Sequence, residues 1–351
     1  MPYDDEVARS TWVEAFAPGR VNLIGEHTDY TGGLALPMAI HLGTSVVGTR
    51  IEAATVTLRS DHEPHPAVVP TNVADEAIGE IEPPWARYVA GVVHEVSPPC
   101  GFDGTVTSTL PVGAGLSSSA ALEVAVARAL GWDGEPIDLA VACRRAEETA
   151  SGVPCGVMDQ WASAAGIEGH ALLMDFDAMT LEPVPVPEDA EIIVVHSGET
   201  RTLAGSAYAE RRAACERAAA AIGPLAAVSL DGLAAVPDPI DRRRARHVVT
   251  ENERVREFAS ALASRDLPAA GDCMVRSHLS LRDDFEVSTP TLDALVERLL
   301  ATPGVHGARL TGAGFGGCVV ALADPGALTE GWMVRPSAGA WCRPIDPPVG
   351  P

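Results

Sequence analysis

The stretch L-P-V-G-A-G-L-S-S-S-A-A-L-E-V-A-V-A-R-A-L, residues 110–130, constrains this chain more than any other. A turn-forming Pro111 and two glycines, Gly113 and Gly115, lead into three serines and then an Ala/Leu/Val run with helical period. The pattern predicts a glycine-rich loop that feeds directly into a helix. The first turn of a helix carries N–H groups without intrahelical partners, and the macrodipole adds roughly half a positive charge there. Glycines let an anion approach the backbone, and serine hydroxyls add donors or a metal ligand. The stretch therefore reads as a phosphate cradle. A capped loop-to-helix junction is the plainer alternative, since serine is a favoured N-cap. Capping uses one serine, and three stand here.

Composition narrows how a phosphate could be held. None of the 351 residues is a lysine, so all 25 cations are arginines. That removes a Walker A lysine, a protein-kinase strand lysine and a Schiff-base lysine from consideration. Backbone N–H, Ser/Thr, Arg and a metal remain. The net charge of −23 leaves no basic stripe to neutralise phosphates, which argues against nucleic acid and against an anionic membrane. Seven scattered cysteines without a C-x-x-C pair indicate neither a zinc site nor a disulfide framework. The N-terminal M-P-Y-D-D-E-V lacks an apolar h-region, and no apolar run reaches the roughly 18 residues of a membrane span. A soluble, cytoplasmic chain with two domains is expected, with a soft boundary near residues 170–190, in the Pro-rich neighbourhood of 183–187.

Along the chain, residues 12–58 read as β-rich. Strands are expected over 12–17, 20–25, 34–40, 43–50 and 54–58, with Pro18-Gly19 as a turn. The polar run E-H-T-D-Y-T-G-G at 26–33 interrupts them. Glu, His and Asp at that spacing, with Arg20 six residues before Glu26, can converge on a small polar ligand such as a sugar, whose hydroxyls both donate and accept. A solvated loop with a salt bridge is the alternative. Residues 61–70 read as loop, 83–94 as helix, 102–109 as a strand leading into the phosphate loop, and 138–152 as a helix closed by Gly152. The loop G-V-P-C-G-V-M-D-Q-W-A-S at 152–163 follows. Asp159, at or inside the next helix, serves there either as a cap or as a reactive carboxylate. Glu147, twelve residues earlier, can point back at the same place, as suits a metal ligand and a base.

The second half differs in texture. Strands are expected at 170–176 and 192–196, and helices over 205–222, 242–262, 267–280 and 290–301. A second glycine-rich block, L-T-G-A-G-F-G-G-C at 310–318, runs into a strand at 319–322. A dinucleotide fingerprint places its strand before the glycines and a helix after them. This block instead suggests close backbone packing against another loop or a ligand.

Together and in this order, these blocks resemble the GHMP small-molecule kinases and, within them, the galactokinase family. A-P-G-R-V-N-L-I-G-E-H-T-D-Y-T-G-G at 17–33 is similar to the galactokinase signature almost letter for letter, with Thr31 where Asn is common. L-P-V-G-A-G-L-S-S-S-A-A-L-E-V matches the GHMP phosphate loop, and A-E-E-T-A-S-G-V-P-C-G-V-M-D-Q matches the stretch carrying the catalytic Asp. Weaker echoes are S-A-Y-A-E-R-R at 206–212 (with Ala209 where Asn or Pro is often seen), E-N-E-R-V at 251–255, S-H-L-S-L-R-D-D-F-E-V-S at 277–288, and the late T-G-A-G-F-G-G-C.

The resemblance implies an α+β, two-domain GHMP kinase fold. Its N-terminal α/β domain (1–180) has a left-handed crossover, its C-terminal domain (181–351) is ferredoxin-like, and the site lies between them. It implies Asp159 as base or electrostatic orienter, with Arg20 stabilising charge near the transferring phosphoryl group. Glu26, His27, Asp29, Gly156 and Tyr208 contact galactose. Gly113, Ala114, Gly115, Leu116, Ser117, Ser118 and Ser119 hold ATP phosphates, and Ser119 and Glu147 coordinate Mg²⁺. The partners implied are galactose and ATP, with the chain a monomer or at most a weak dimer. Phosphoryl transfer through a loose transition state asks mainly for positioning and charge stabilisation, so the chemistry closes without a lysine. Related 1-kinases for arabinose, N-acetylgalactosamine or a uronic acid, and a non-catalytic sugar sensor, are the alternatives; an isoprenoid-acid kinase fits the polar E-H-T-D-Y less well.

Overall fold

A computed structural model describes residues 12–111, 113–199 and 204–348. The acidic N-terminal stretch and Val112 lie outside them. The chain opens with β1 (Trp12–Asn22), a short β2 (Leu34–Ala35), the long β3 (Pro37–Ile51), β4 (Thr55–Ser60) and β5 (Ala67–Pro70). Helices α1 (Asp75–Ile78) and α2 (Trp85–Val96) then lead to β6 (Gly101–Ser108). Five of these strands form a sheet in the order β1-β3-β6-β4-β5, antiparallel except for the parallel pair β4 and β6. Helices α3 (Ser118–Ala129), α4 (Pro136–Ser151) and α5 (Met158–Ala165) follow, and α3 packs across β1 and β3. Strands β7 (His170–Asp175) and β8 (Thr180–Pro185) join β2 in a small second sheet.

The rest of the chain contributes β9 (Glu191–His196), α6 (Ala204–Ile222), 3₁₀ turns at Leu225–Ala227 and Leu230–Ala235, then α7 (Pro239–Ala263), α8 (Leu267–Asp283) and α9 (Pro290–Leu300). After them come β10 (Val305–Thr311), β11 (Cys318–Ala323), β12 (Trp332–Val334) and β13 (Trp341–Pro344). The third sheet, β10-β11-β9-β12, is antiparallel throughout and has the strand order of a ferredoxin-like domain. The chain's last strand leaves it: β13 returns to pair with β1 at the edge of the first sheet.

Several local expectations are corrected. Pro18-Gly19 is no turn. β1 runs through it, with a register shift between Pro18 and Arg20. The Arg20 amide is diverted from β3 to the Leu116 carbonyl at 3.1 Å, and a Cβ on Gly19 would stand 2.5 Å from that same oxygen. A bulge of this kind re-aims one side chain, and here it is Arg20. Residues 34–50 hold not two strands of similar length but two-residue β2 and the fifteen-residue β3. The stretch at 61–70, read as loop, ends in β5, and the Pro-rich run at 183–187 overlaps β8. β8 is an edge strand, where prolines without N–H are tolerated. Helix α7 begins at Pro239 rather than 242 because Asp238 caps the Ile240 and Asp241 amides and proline suits the first helical position. Helix α8 runs on to Asp283.

The two halves share a core. One buried cluster combines Val21, Ile24, Leu36, Leu110 and Leu116 with Val255, Phe258, Met274, Cys318 and Val320. Cys100, Cys143, Cys155, Cys215, Cys273 and Cys342 are free thiols. Among the described residues no helix is long and apolar enough to cross a membrane.

Candidate active site

The glycine-rich loop enters α3 with left-handed backbone at Gly113 (φ 75°), Gly115 (φ 67°) and Ser117 (φ 58°). Ser117 stands at the N-cap position, yet its side chain makes no capping bond. Its hydroxyl donates to Asp159 Oδ2 at 2.5 Å, so the simple cap reading fails and the amides of the first turn stay open. Gly113, Gly115, Leu116, Ser117, Ser118 and Ser119 line a cavity of about 460 Å³. Ala114, expected with them, does not line it. Its methyl is buried in the core, and its N–H donates to the Pro111 carbonyl.

Asp159 lies in the first turn of α5 and is not a cap. Arg20, delivered by the bulge of β1, grips it with two parallel hydrogen bonds, Nε to Oδ1 at 2.8 Å and Nη2 to Oδ2 at 2.5 Å. The third arm, Nη1, donates to the Gly115 carbonyl at 2.8 Å. One guanidinium thus ties the aspartate to the phosphate loop, using the planar fork that suits arginine to bidentate work.

A second cavity of about 380 Å³ opens on the other side of this pair. Glu26, His27, Asp29, Gly156 and Tyr208, drawn from three distant stretches, all line it with Arg20 and Asp159. Arg20, Glu147 and Asp159 line both cavities. Asp29 lies so close to the 152–156 loop that a Cβ on Gly156 would come 1.6 Å from its Oδ2. Burial first, then the nearby charges of Asp159 and Glu26, raise the Asp29 carboxyl to about 7. His27 has left-handed backbone (φ 64°) and sits among the rings of Tyr30, Tyr208 and Phe285. Its Nδ1 pairs with the Tyr30 hydroxyl at 3.0 Å. Burial, reinforced by the positive neighbourhood of His247, lowers it to about 3 and leaves it neutral. Burial also pushes the Tyr208 hydroxyl well above its usual range.

Helix α7 braces the 22–36 loop from behind. The Gly25 amide donates to Glu251 Oε1 at 3.0 Å and the Leu34 amide to Asn252 Oδ1 at 2.8 Å; His247 Nε2 lies 3.1 Å from the Glu26 carbonyl. The late glycine block packs against the same loop, with the Gly312 amide donating to Glu26 Oε1 at 2.8 Å. A Cβ on Gly314 (φ 80°) would lie 2.4 Å from the Val287 carbonyl. The close-packing reading of that block therefore holds.

Ser119 Oγ donates to Glu147 Oε1 at 2.7 Å, and the Gln160 amide bridges Glu147 Oε2 and the buried Glu123. Burial raises the Glu147 carboxyl, which the hydrogen bonds from Ser119 and Gln160 partly offset. A hydroxyl and a half-enclosed carboxylate at the mouth of a phosphate-sized cavity suit a hard divalent cation. Among the described residues no cluster of three or more His, Cys, Asp and Glu could hold a metal by itself. Mg²⁺ needs none, since it takes one or two protein oxygens and completes its shell with water and phosphate. Sequence reasoning missed Gln160, Glu123 and the Ser117–Asp159 bond. Only the M-D-Q run, placing Gln160 beside Asp159, hinted at the first.

Family models for the GHMP kinase N-terminal domain and the GHMP kinase C-terminal domain match residues 86–167 and 258–330. Mevalonate kinase from Methanococcus jannaschii, 19% identical, shares the fold with a TM-score of 0.66 over 97% of this chain and all of its own. The architecture is that of the GHMP small-molecule kinases. A model described as the galactokinase galactose-binding signature matches residues 3–50. Human galactokinase is 44% identical over 327 residues, 89% of this chain and 83% of that protein, and galactokinase from Mycobacterium tuberculosis (strain H37Rv) is 45% identical over 87% of each. The crystal structure of Lactococcus lactis galactokinase complexed with galactose superposes with a TM-score of 0.86 at 29% identity, covering 94% of this chain and 95% of that one. The chain belongs to the galactokinase family.

Proposed function

We propose that this chain transfers the γ-phosphoryl group of ATP to the C1 hydroxyl of galactose, giving galactose 1-phosphate and ADP. One observation carries the reading: two cavities, one lined by the sugar signature and one by the phosphate loop, meet at Arg20, Glu147 and Asp159. Galactose occupies the first, with Glu26, His27, Asp29, Gly156 and Tyr208 as its contacts. His27 Nδ1 is taken by the Tyr30 hydroxyl, so the neutral ring has Nε2 left for a sugar hydroxyl, and Asp29 accepts from hydroxyls when ionised. The ATP phosphates occupy the second, against Gly113, Gly115, Leu116 and the three serines. Asp159 orients the attacking hydroxyl and takes its proton late, as a loose transition state allows. Arg20 stabilises charge on the transferring group while holding Asp159 in place. Ser119 and Glu147 are the residues that would hold Mg²⁺, which when bound neutralises phosphate charge. We assign 1–180 and 181–351 as the N- and C-terminal GHMP kinase domains, and a cytoplasmic monomer or weak dimer as the working state.

The test is ADP release by purified protein with ATP and Mg²⁺ across galactose, 2-deoxygalactose, N-acetylgalactosamine, arabinose, glucose and mevalonate. Turnover with galactose and little with glucose is expected. Turnover confined to another sugar overturns the substrate assignment, and galactose binding without turnover overturns the kinase reading.

A further inference from the structure

Arg309, on β10 behind the sugar cavity, has none of the roles assigned above. Its side chain is fully enclosed, and none of its three guanidinium nitrogens has a hydrogen-bond partner among the described residues. An unpaired guanidinium removed from water is unfavourable unless an opposite charge compensates it. Arg309 Nη1 stands 3.6 Å from Glu26 Oε1. That oxygen also accepts from the Gly312 amide at 2.8 Å, and Thr311 Oγ1 lies 3.2 Å from it, sharing its one hydrogen with the Asn22 carbonyl at 3.0 Å. One short segment, the end of β10 and the turn after it, therefore grips one oxygen of a carboxylate from the other half of the chain.

Two buried carboxylates lie within reach of the Arg309 charge, Glu251 and Glu26, and Glu26 is the one with no other ion pair among the described residues. Glu251 is already paired with Arg254 Nε at 2.7 Å and accepts from Gly25 and Ser277. His27, His247 and His278 are all held neutral chiefly by burial, with Arg309 among the positive charges that add to the effect.

We propose that Arg309 is a positioning residue for sugar recognition: by charge it keeps Glu26 turned with one oxygen into β10, leaving the other oxygen for a galactose hydroxyl in the cavity that Glu26 lines. Arg309 itself does not touch the sugar. The inference rests on the reading of Glu26 as a galactose contact.

The test compares wild type, Arg309→Met and Arg309→Lys, with KM for galactose and for ATP measured separately and galactose Kd measured by calorimetry. Loss of a charged contact predicts a galactose KM and Kd raised by about tenfold or more in Arg309→Met. The KM for ATP stays within about twofold and kcat falls less than galactose affinity. Arg309→Lys restores part of the loss, because an ammonium keeps the charge. In a Glu26→Gln background, Arg309→Met adds little further. Equal changes in both KM values, a kcat loss with unchanged galactose KM, or an undiminished penalty in the Glu26→Gln background would each overturn the proposal. Should Arg309→Met be insoluble, Arg309→Lys with and without Glu26→Gln gives the same comparison. A wild type that binds galactose without turnover ends the kinase reading, while the Kd series still decides the role of Arg309.

Discussion

Asp159 receives three hydrogen bonds, two from Arg20 and one from Ser117, before any substrate arrives. Such a carboxylate is held in one orientation, so replacing it should remove chemistry and spare binding. Asp159→Asn is expected to lower kcat by about a hundredfold or more with galactose affinity retained, as calorimetry can show; near wild-type turnover would refute the role. Gly156 is held to its identity by Asp29, 1.6 Å from where a Cβ would stand. Gly156→Ala should displace Asp29 and raise the galactose KM while leaving the ATP KM nearly unchanged. Asp29 carries a pH signature as well. Its carboxyl is raised from 3.8 to about 7, so between those values the folded chain holds a proton that the unfolded chain has lost. Stability from this group therefore falls as pH rises through that window. Asp29→Asn should gain thermal stability over wild type at pH 8 and little at pH 4. An equal gain at both pH values would show that the titration is not the cause.

At the scale of elements, the bulge in β1 and the brace from α7 do most to build the site. The bulge turns Arg20 toward α5, and α7 holds the sugar loop through Glu251 and Asn252. Asn252→Ala removes the acceptor for the Leu34 amide and leaves a buried N–H unpaired, which costs about 1–3 kcal/mol. The expected result is a lower unfolding midpoint and a higher galactose KM with an unchanged ATP KM. If both KM values move together, the brace serves the whole molecule rather than the sugar loop. None of this was legible from the sequence. The motif E-N-E-R-V was visible as a string, but its partners lie more than 200 residues away, at Gly25 and Leu34. Pro18-Gly19 read as a turn because local chemistry favours one there, and tertiary packing on Leu116 overrode that preference.

For the molecule as a whole, the two halves are not independent units. They share the core cluster that joins Leu36 and Leu116 to Phe258 and Val320, and β13 completes the sheet begun by β1. Residues 1–180 expressed alone expose that apolar face and lose an edge strand. The fragment is therefore expected to lack a cooperative thermal transition and to bind apolar dyes; a sharp transition at wild-type temperature would show that the halves fold separately. The same sharing explains the position of the site. Glu26 comes from the first half and Thr311 and Gly312 from the second, so the sugar cavity exists only when the halves are docked.

The sequence by itself determined the three chemical blocks, the absence of lysine chemistry and most helices; the α+β class came only through the family resemblance those blocks carry. The blocks and the helices are written in neighbouring residues: turn-forming glycines, capping residues, a 3.6-residue period, a polar run between apolar strands. Tertiary structure decided which of those residues meet. It brought Arg20, Ser117 and Asp159 into one cluster, turned Ala114 away from the phosphate cavity, returned β13 to the first sheet and enclosed Arg309 behind Glu26. Those contacts depend on how distant segments exclude water together, and nothing in the local chemistry of any one segment specifies its distant partner.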